Sequence, residues 1–189
     1  QPHKRPNREV VAVLLSVQQK YILETLRKLG CVRKDQLHAL VRGKFQRPGF
    51  DISETRMAAM LRQLRSGLGD FHVDGGFVYL ARGQPDTARL EAIDIMLELS
   101  EDAPQEFTVK VDSPRLLCFT LGVDKLKLFS VAMLSHVSDT QLLQREQSER
   151  IVWISDGGTP PEGLTLPPKH FFAARQTDGS HRFYGSNGP

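Results

Sequence analysis

Apolar residues recur at helical spacing in the middle of the N-terminal half of the chain. Four of them fall at i, i+3, i+4 and i+7: Met57, Met60, Leu61 and Leu64. This spacing puts them on one stripe of an α-helix. Ser53 stands where an N-cap is expected, since its hydroxyl can accept from an orphan amide of the first turn. Gly67, just after the stripe, is a typical stop. The pattern therefore predicts an amphipathic helix from Ser53 to Gly67.

A β-hairpin is predicted directly after this helix. Residues 71–73 and 77–80 are rich in aromatic and β-branched residues, and Asp74, Gly75 and Gly76 separate them. Glycine supplies the positive φ that a tight hairpin turn requires.

Two further helices are predicted upstream. Ser16 and Gln19 have capping-box spacing, and Gly30 ends the first helix. The second helix is shorter and ends before Gly43. The apolar positions of the two helices are Ile22, Leu26, Leu29, Leu37, Leu40 and Val41. Three helices followed by a hairpin are the order of a winged helix-turn-helix, whose last helix enters the major groove of DNA.

The face opposite the apolar stripe of the third helix carries the candidate chemistry. On this face, Arg56, Arg62 and Gln63 suit guanine and adenine edges. Arg65 of the same helix suits phosphates, as do Lys44 and Arg47 in the segment that precedes the helix. The predicted nucleic-acid-binding residues are Lys44, Arg47, Thr55, Arg56, Ala59, Arg62, Gln63 and Arg65. A charged helix face can equally be only solvated, and many winged helices serve as protein–protein modules.

The second half of the chain alternates between strand and helix patterns. Asp86 or Thr87 caps a helix with an apolar face and an acidic face; the acidic residues are Glu91, Asp94, Glu98 and Glu101. A polar helix is predicted over residues 139–148. The predicted strands cover residues 106–111, 116–121, 127–134, 150–155, 170–174 and 182–184. The fold class is therefore α+β, an N-terminal winged helix-turn-helix plus a smaller C-terminal mixed α/β domain.

Charged residues are also unevenly distributed between the two halves of the chain. Residues 1–90 hold 16 Lys and Arg against 8 Asp and Glu, whereas residues 91–189 hold 9 against 14. The predicted divisions are a basic arm over residues 1–9, a winged-helix domain over 10–82 and an α+β domain over 86–189. The basic half suits a polyanion. The arm is either a disordered end or a segment that reaches into a minor groove.

Several features bear on the compartment. Cys31 and Cys118 lie in apolar settings without metal-ligand spacing, so we expect two small buried thiols in a reduced chain. The longest apolar run, residues 10–15, is too short to cross a bilayer and lacks the cleavage site of a signal peptide. It is either a buried strand or an extension of the first helix, and exposed it would dimerise the chain. We expect a cytoplasmic protein without membrane contact.

No arrangement of residues predicts catalysis. Glu106 and Lys110 are four residues apart on one strand, which is too far to share a metal ion, and Asp94 and Glu98 suit a solvated helix face. No phosphate-binding loop and no metal or cofactor site is expected. A metal nuclease that uses Asp94 or Asp112 is the rival interpretation.

Residues 27–41, the third helix with its hairpin, and residues 149–187 resemble an uncharacterised winged-helix family carried on mobile elements of gut Firmicutes. The domain arrangement is distantly similar to plasmid replication-relaxation proteins, which join a winged helix to a restriction-endonuclease-like domain. The resemblance implies a second domain that does not cut, because residues 122–125 and 128–131 lack paired carboxylates. It also implies a role in plasmid maintenance, transfer control or interference with a host or rival system.

These observations predict a non-enzymatic protein of a mobile genetic element that binds double-stranded DNA and controls transcription, replication or transfer. The acidic second domain would bind a protein or mediate self-association as a homodimer. The alternative is a protein–protein inhibitor of a host nucleic-acid enzyme or defence system, of the anti-CRISPR kind. In that case the winged helix is a scaffold, and acidic surfaces compete for basic nucleic-acid channels.

Overall fold

A computed structural model describes residues 14–81, 83–100, 103–110 and 114–186. The N-terminal half contains α1 (Val17–Leu29), β1 (Cys31–Arg33), α2 (Lys34–Phe45), α3 (Glu54–Gly67), β2 (Phe71–Asp74) and β3 (Phe77–Leu80). The C-terminal half contains α4 (Thr87–Leu99), β4 (Glu106–Val109), β5 (Arg115–Leu121), β6 (Lys127–Met133), α5 (Asp139–Leu142), β7 (Arg150–Ile154), β8 (His170–Arg175) and β9 (His181–Tyr184). The class is α+β, with five helices and two sheets in the described residues.

The predicted helix starts of the N-terminal half are confirmed by their caps. The Ser16 hydroxyl accepts from the Gln19 amide, and the Gln19 side chain accepts from the Ser16 amide, which completes a capping box. The Ser53 hydroxyl accepts from the Arg56 amide at 3.2 Å and starts α3. Each cap satisfies amides that have no partner within the helix, so both helices begin where the sequence predicts.

The smaller sheet has the strand order β1-β3-β2 and is antiparallel throughout. Gly75 and Gly76 close the predicted β2–β3 hairpin with φ values of 53° and 87°. The sequence analysis missed β1. Its three residues, Cys31–Arg33, are too few to show an alternating pattern, and they form a strand because β3 supplies their hydrogen bonds.

The larger sheet has six strands in the order β4 to β9. β4, β5 and β6 are antiparallel neighbours, β6, β7 and β8 are parallel, and β9 returns antiparallel to β8. One face packs on the helices through residues such as Phe119, Val131 and Val152. The other face has a second cluster around Trp153 and Phe172, which the loop residue Leu164 covers. Trp153 is fully buried in this cluster, and the sheet is mixed as expected.

Helix α4 lies between the two halves and takes part in one continuous core. This cluster contains Ile22 of α1, Leu61 of α3, Ile93 of α4 and Phe119 of β5, all at most 6% exposed. The core therefore crosses the predicted boundary at residues 82–86. The division into domains itself stays a prediction.

The sequence predicts that α2 ends before Gly43. This prediction is wrong, because α2 continues to Phe45. A Cβ atom built on Gly43 would lie 2.8 Å from the backbone nitrogen of Ala103. Gly43 is therefore a point of close backbone approach inside the helix and not a helix stop. The sequence pattern cannot distinguish these two uses of glycine, because the partner backbone is 60 residues away along the chain.

Two expectations for the second half are also wrong. The polar helix predicted over residues 139–148 is only α5, which ends at Leu142. Beyond it, one terminal nitrogen of Arg145 donates to the carbonyl groups of Glu146, Gln147 and Glu149, so the backbone is satisfied without a helix.

Asp94 and Glu98 were expected to form a solvated face of α4, but both are engaged within the protein, since even the exposed Glu98 accepts from His181. Glu91 is only 8% exposed, and Asp94 accepts hydrogen bonds from Arg33 and Gln36 of the N-terminal half. Some sequence predictions lie outside the described residues: the basic arm, the start of the apolar run, and the positions of Arg82, Glu101 and Asp112. Where the chain is described, no helix combines the length and apolar character needed to cross a membrane.

Candidate nucleic-acid interface

The outer face of α3 is open to solvent, as its sequence pattern predicts. Arg56, Arg62 and Arg65 are exposed, Thr55 is exposed beside them, and Ala59 is half-buried. The opposite face is fixed in the core through Met57, Met60, Leu61 and Leu64. Burial of that stripe holds the helix, so the three arginines project from a rigid element.

The arginines of this face are not neutralised by acidic neighbours. Among the described residues, no salt bridge involves Arg56, Arg62 or Arg65. By contrast, Arg42 of α2 lies 3.2 Å from the Asp51 carboxylate. Guanidinium groups without a carboxylate partner keep their charge and their N–H donors available for an external anion.

The connection between α2 and α3 places two more exposed cations beside this face. The Arg47 and Phe50 backbones form a two-way hydrogen-bonded bridge, with N–O distances of 3.1 and 2.9 Å, across a Pro48–Gly49 turn. Gly49 has a φ of 78°, which suits glycine at this turn. Lys44 and Arg47 are exposed, and no salt bridge in the described part of the chain includes them.

Gln63 differs from the other predicted site residues because it is engaged within the protein. Its side-chain oxygen accepts a 2.9 Å hydrogen bond from the side-chain nitrogen, Nε2, of Gln19, a residue that is 7% exposed. Recognition of adenine by glutamine uses both the oxygen and the nitrogen of the amide. Gln63 therefore contributes first to the contact between α1 and α3, and sequence spacing could not reveal this partner.

The β2–β3 hairpin offers no positive charge in the place where a wing would approach DNA. Its tip carries Asp74, and the Gly76 carbonyl accepts from the Lys34 amide at 2.9 Å, which ties the turn to α2. His72 and Tyr79 stack on each other with ring centroids 5.2 Å apart. The basic surface is thus formed by α3 and the α2–α3 turn.

A cavity of about 560 Å³ lies on the large sheet over β4 and β5. It contains Glu106 and Lys110, the pair weighed as a nuclease site, together with Arg115, Cys118 and Glu149. Glu149 is 2% exposed and accepts two 2.8 Å hydrogen bonds from Arg115. Its other contacts come from the Ser130 hydroxyl and the Glu146 amide.

Arg115, Ser130 and Glu149 satisfy one another's hydrogen-bonding groups in this cavity. Burial acts to raise the pKa of Glu149, but the hydrogen bonds from Arg115 and Ser130 outweigh it and lower the pKa of that carboxyl. Burial raises the pKa of the Cys118 thiol, which lies 3.0 Å from the Ser130 hydroxyl. Glu149 is therefore an ionised structural partner and Cys118 a protonated thiol. Across the described ranges, no group of three or more His, Cys, Asp or Glu side chains could hold a metal ion.

A third cluster joins α4 to the β8–β9 hairpin. The His181 ring, 1% exposed, donates from Nδ1 to Glu98 at 2.9 Å and faces Glu91 with Nε2 at 3.3 Å. Arg175 also donates to Glu91. Burial acts to lower the pKa of His181, but the hydrogen bonds to Glu91 and Glu98 outweigh it and hold the pKa above its ordinary value.

This cluster predicts a pH-dependent contribution to stability. Because the folded pKa of His181 is raised, its contribution is full below the unfolded pKa and disappears as the pH rises through the folded pKa. We expect His181→Gln to lower the free energy of unfolding more at about pH 6 than at about pH 9, as measured by urea titration. His136→Gln, which changes an exposed histidine, is the control and should show no such trend. An equal loss at both pH values for His181→Gln would contradict the assignment.

The comparisons with known proteins add no relative to this description. No family model matches the chain, and neither a curated protein nor a solved structure matches it. The resemblance to a winged-helix family of mobile elements therefore stays a prediction. The candidate interface rests on its geometry alone: a helix fixed in the core, three exposed arginines and a basic turn beside them.

Proposed function

We propose that the chain is a non-enzymatic protein that binds double-stranded DNA through the outer face of α3. The observation that carries the proposal is the set of exposed cations, without carboxylate partners among the described residues, on α3 and the α2–α3 turn. Lys44, Arg47 and Arg65 would contact phosphates, while Arg56 and Arg62 would reach base edges. Phosphate contacts fix the position of a protein on a duplex, and base contacts provide its specificity.

The arrangement around α3 supports a winged helix-turn-helix over residues 10–82. Helices α1, α2 and α3 precede the β2–β3 hairpin, and β1 joins that hairpin as the third strand in the order β1-β3-β2. In helix-turn-helix proteins the second helix of the motif lies in the major groove and presents its N-terminal residues to base edges. Here that helix is α3, and Arg56 lies in its first turn.

The proposal assigns different partners to the two halves of the chain. The basic residues concentrate in the half that contains α3, and residues 91–189 hold 14 Asp and Glu against 9 Lys and Arg. The C-terminal half would bind a protein or a second copy of the chain. The resemblance described above sets this activity in the control of transcription, replication or transfer on a mobile element.

The decisive experiment is a mobility-shift titration on duplex DNA of random sequence at several salt concentrations. We expect binding by the parent chain that weakens steeply with salt, because neutralised phosphates release counterions. The Arg56→Ala/Arg62→Ala variant should lose at least about tenfold in affinity, since each contact of this kind contributes about 1–3 kcal/mol.

A control variant of equal charge is available on the C-terminal sheet. Lys125→Ala/Lys127→Ala removes two exposed cations, one from the β5–β6 turn and one from the start of β6, and should leave the affinity within about twofold of the parent. If both double variants weaken binding equally, net charge and not α3 governs the interaction. If the parent does not bind at low salt, the DNA-binding proposal fails.

The acidity of the C-terminal half supports a second candidate function. An acidic surface complements the basic channels of nucleic-acid enzymes, so the chain would then be a protein inhibitor that uses the N-terminal half as a scaffold. Under this alternative, binding to a protein partner would survive Arg56→Ala/Arg62→Ala. Under the main proposal the same variant removes the activity.

A further inference from the structure

The guanidinium of the exposed residue Arg56 lies over an aromatic ring. Its guanidinium carbon lies 4.4 Å from the centroid of the Phe50 ring, and Phe50 is half-buried against the hydrophobic core. A cation over an aromatic face within about 6 Å is attracted by the ring quadrupole. Arg56 is therefore held by an aromatic contact, whereas Gln63 is held by its hydrogen bond to Gln19.

Both sides of this contact are fixed by the backbone. The Phe50 amide and carbonyl are both hydrogen-bonded to Arg47, so the turn sets the position of the ring. The Arg56 amide donates to the Ser53 hydroxyl at 3.2 Å, which fixes the first turn of α3. The backbone of Arg56 and the ring that its guanidinium contacts are consequently both held in place.

The chemistry of the contact leaves the donors of Arg56 unused. In the described part of the chain the Arg56 side chain donates to no protein acceptor, and the Phe50 ring offers it only π-electrons. Arg33 and Arg115 differ, because their N–H groups donate to the carboxylates of Asp94 and Glu149. A planar fork of free donors matches the O6 and N7 acceptors of guanine.

We infer that Phe50 is a positioning residue, an aromatic platform that holds the guanidinium of Arg56 ready to donate to a guanine edge in the major groove. This inference rests on the proposed DNA binding and names the base that the first turn of α3 reads. The advantage is entropic, since a side chain that is already ordered loses less freedom on binding. Phe50 is absent from the residues predicted from sequence, because a lone phenylalanine in a loop carries no periodic pattern.

The platform is tested first without DNA. Nuclear magnetic resonance order parameters of the Arg56 Nε–H group are compared in the parent, Phe50→Leu and Phe50→Tyr, with Arg62 and Arg65 as internal references. We expect the order parameter of Arg56 to exceed those of Arg62 and Arg65, to fall to their level in Phe50→Leu, and to be retained in Phe50→Tyr. An unchanged order parameter in Phe50→Leu would overturn the platform.

The guanine assignment is then tested on duplexes selected from a random pool by the parent chain. Phe50→Leu should weaken binding to the selected duplex by about two- to fivefold and reduce the preference for guanine at one base pair. Phe50→Tyr should bind within about twofold of the parent, which separates the platform from simple loss of fold. Arg65→Ala is the matched control and should weaken binding to all sequences alike.

The outcomes separate the inference from the proposed function. If the parent binds duplexes but Phe50→Leu leaves guanine preference unchanged, the inference is overturned and DNA binding stands. If Phe50→Leu and Arg56→Ala weaken binding uniformly, like Arg65→Ala, Arg56 contacts phosphate and the guanine assignment is wrong. If the parent binds no duplex, both DNA binding and the guanine assignment fail, whatever the order parameters show.

Discussion

Replacement of Glu149 by alanine is expected to lower the free energy of unfolding by about 3–5 kcal/mol, because it leaves a partly buried cation without its partner. Glu149 is 2% exposed, and the Arg115 side chain that it neutralises is 20% exposed. The substitution also removes the acceptor for the Ser130 hydroxyl and the Glu146 amide. Buried donors without acceptors add to the cost.

Urea titration monitored by circular dichroism measures this loss. Glu146→Ala is the matched control: Glu146 is exposed and three residues away, so its replacement should change the free energy of unfolding by less than about 0.5 kcal/mol. Glu149→Gln keeps the shape and one acceptor oxygen and should fall between the two. A loss below about 1 kcal/mol for Glu149→Ala would show that the Arg115–Glu149 pair does not hold residues 143–149 on the sheet.

The elements predicted correctly from sequence are those whose causes are local. The capping box of Ser16 and Gln19, the Ser53 cap and the Gly75–Gly76 turn each act within four residues, and each lies where it was expected. The elements that were missed depend on distant partners. β1 exists because β3 pairs with it, and a glycine stands inside α2 at position 43 because Ala103 leaves no room for a side chain.

In the candidate site, too, features with local causes are predicted from the sequence, whereas contacts with distant residues are not. Periodicity placed Arg56, Arg62 and Arg65 correctly on the exposed face of α3, because the buried face of a helix determines the opposite one. Periodicity could not show that Gln63 is hydrogen-bonded to Gln19, 44 residues away, or that Phe50 lies under Arg56. It also assigned Asp94 to a solvated face, although its partner Arg33 lies 61 residues away along the chain.

Helix α4 contributes to the core of both halves, so a cavity left by truncating one of its buried side chains should destabilise both. Ile93 is fully buried, and its neighbours on the helix bind in two directions: Asp94 pairs with Arg33 of the N-terminal half, and Glu91 with Arg175 of β8. We expect Ile93→Ala to lower the free energy of unfolding by about 2–5 kcal/mol, the usual cost of truncating a buried isoleucine.

Two probes show whether the halves respond together. Trp153 is the single tryptophan and reports on the large sheet, whereas far-UV circular dichroism reports mainly on the helices. We expect both transitions to shift by the same amount in Ile93→Ala, because the core is continuous through α4. Leu142→Ala, at a position 75% exposed, should shift neither.

Separate transitions would instead indicate that residues 10–82 and 86–189 unfold independently. DNA binding through α3 would then not require the C-terminal half, whereas a joint transition means that α3 is held in place by the whole molecule.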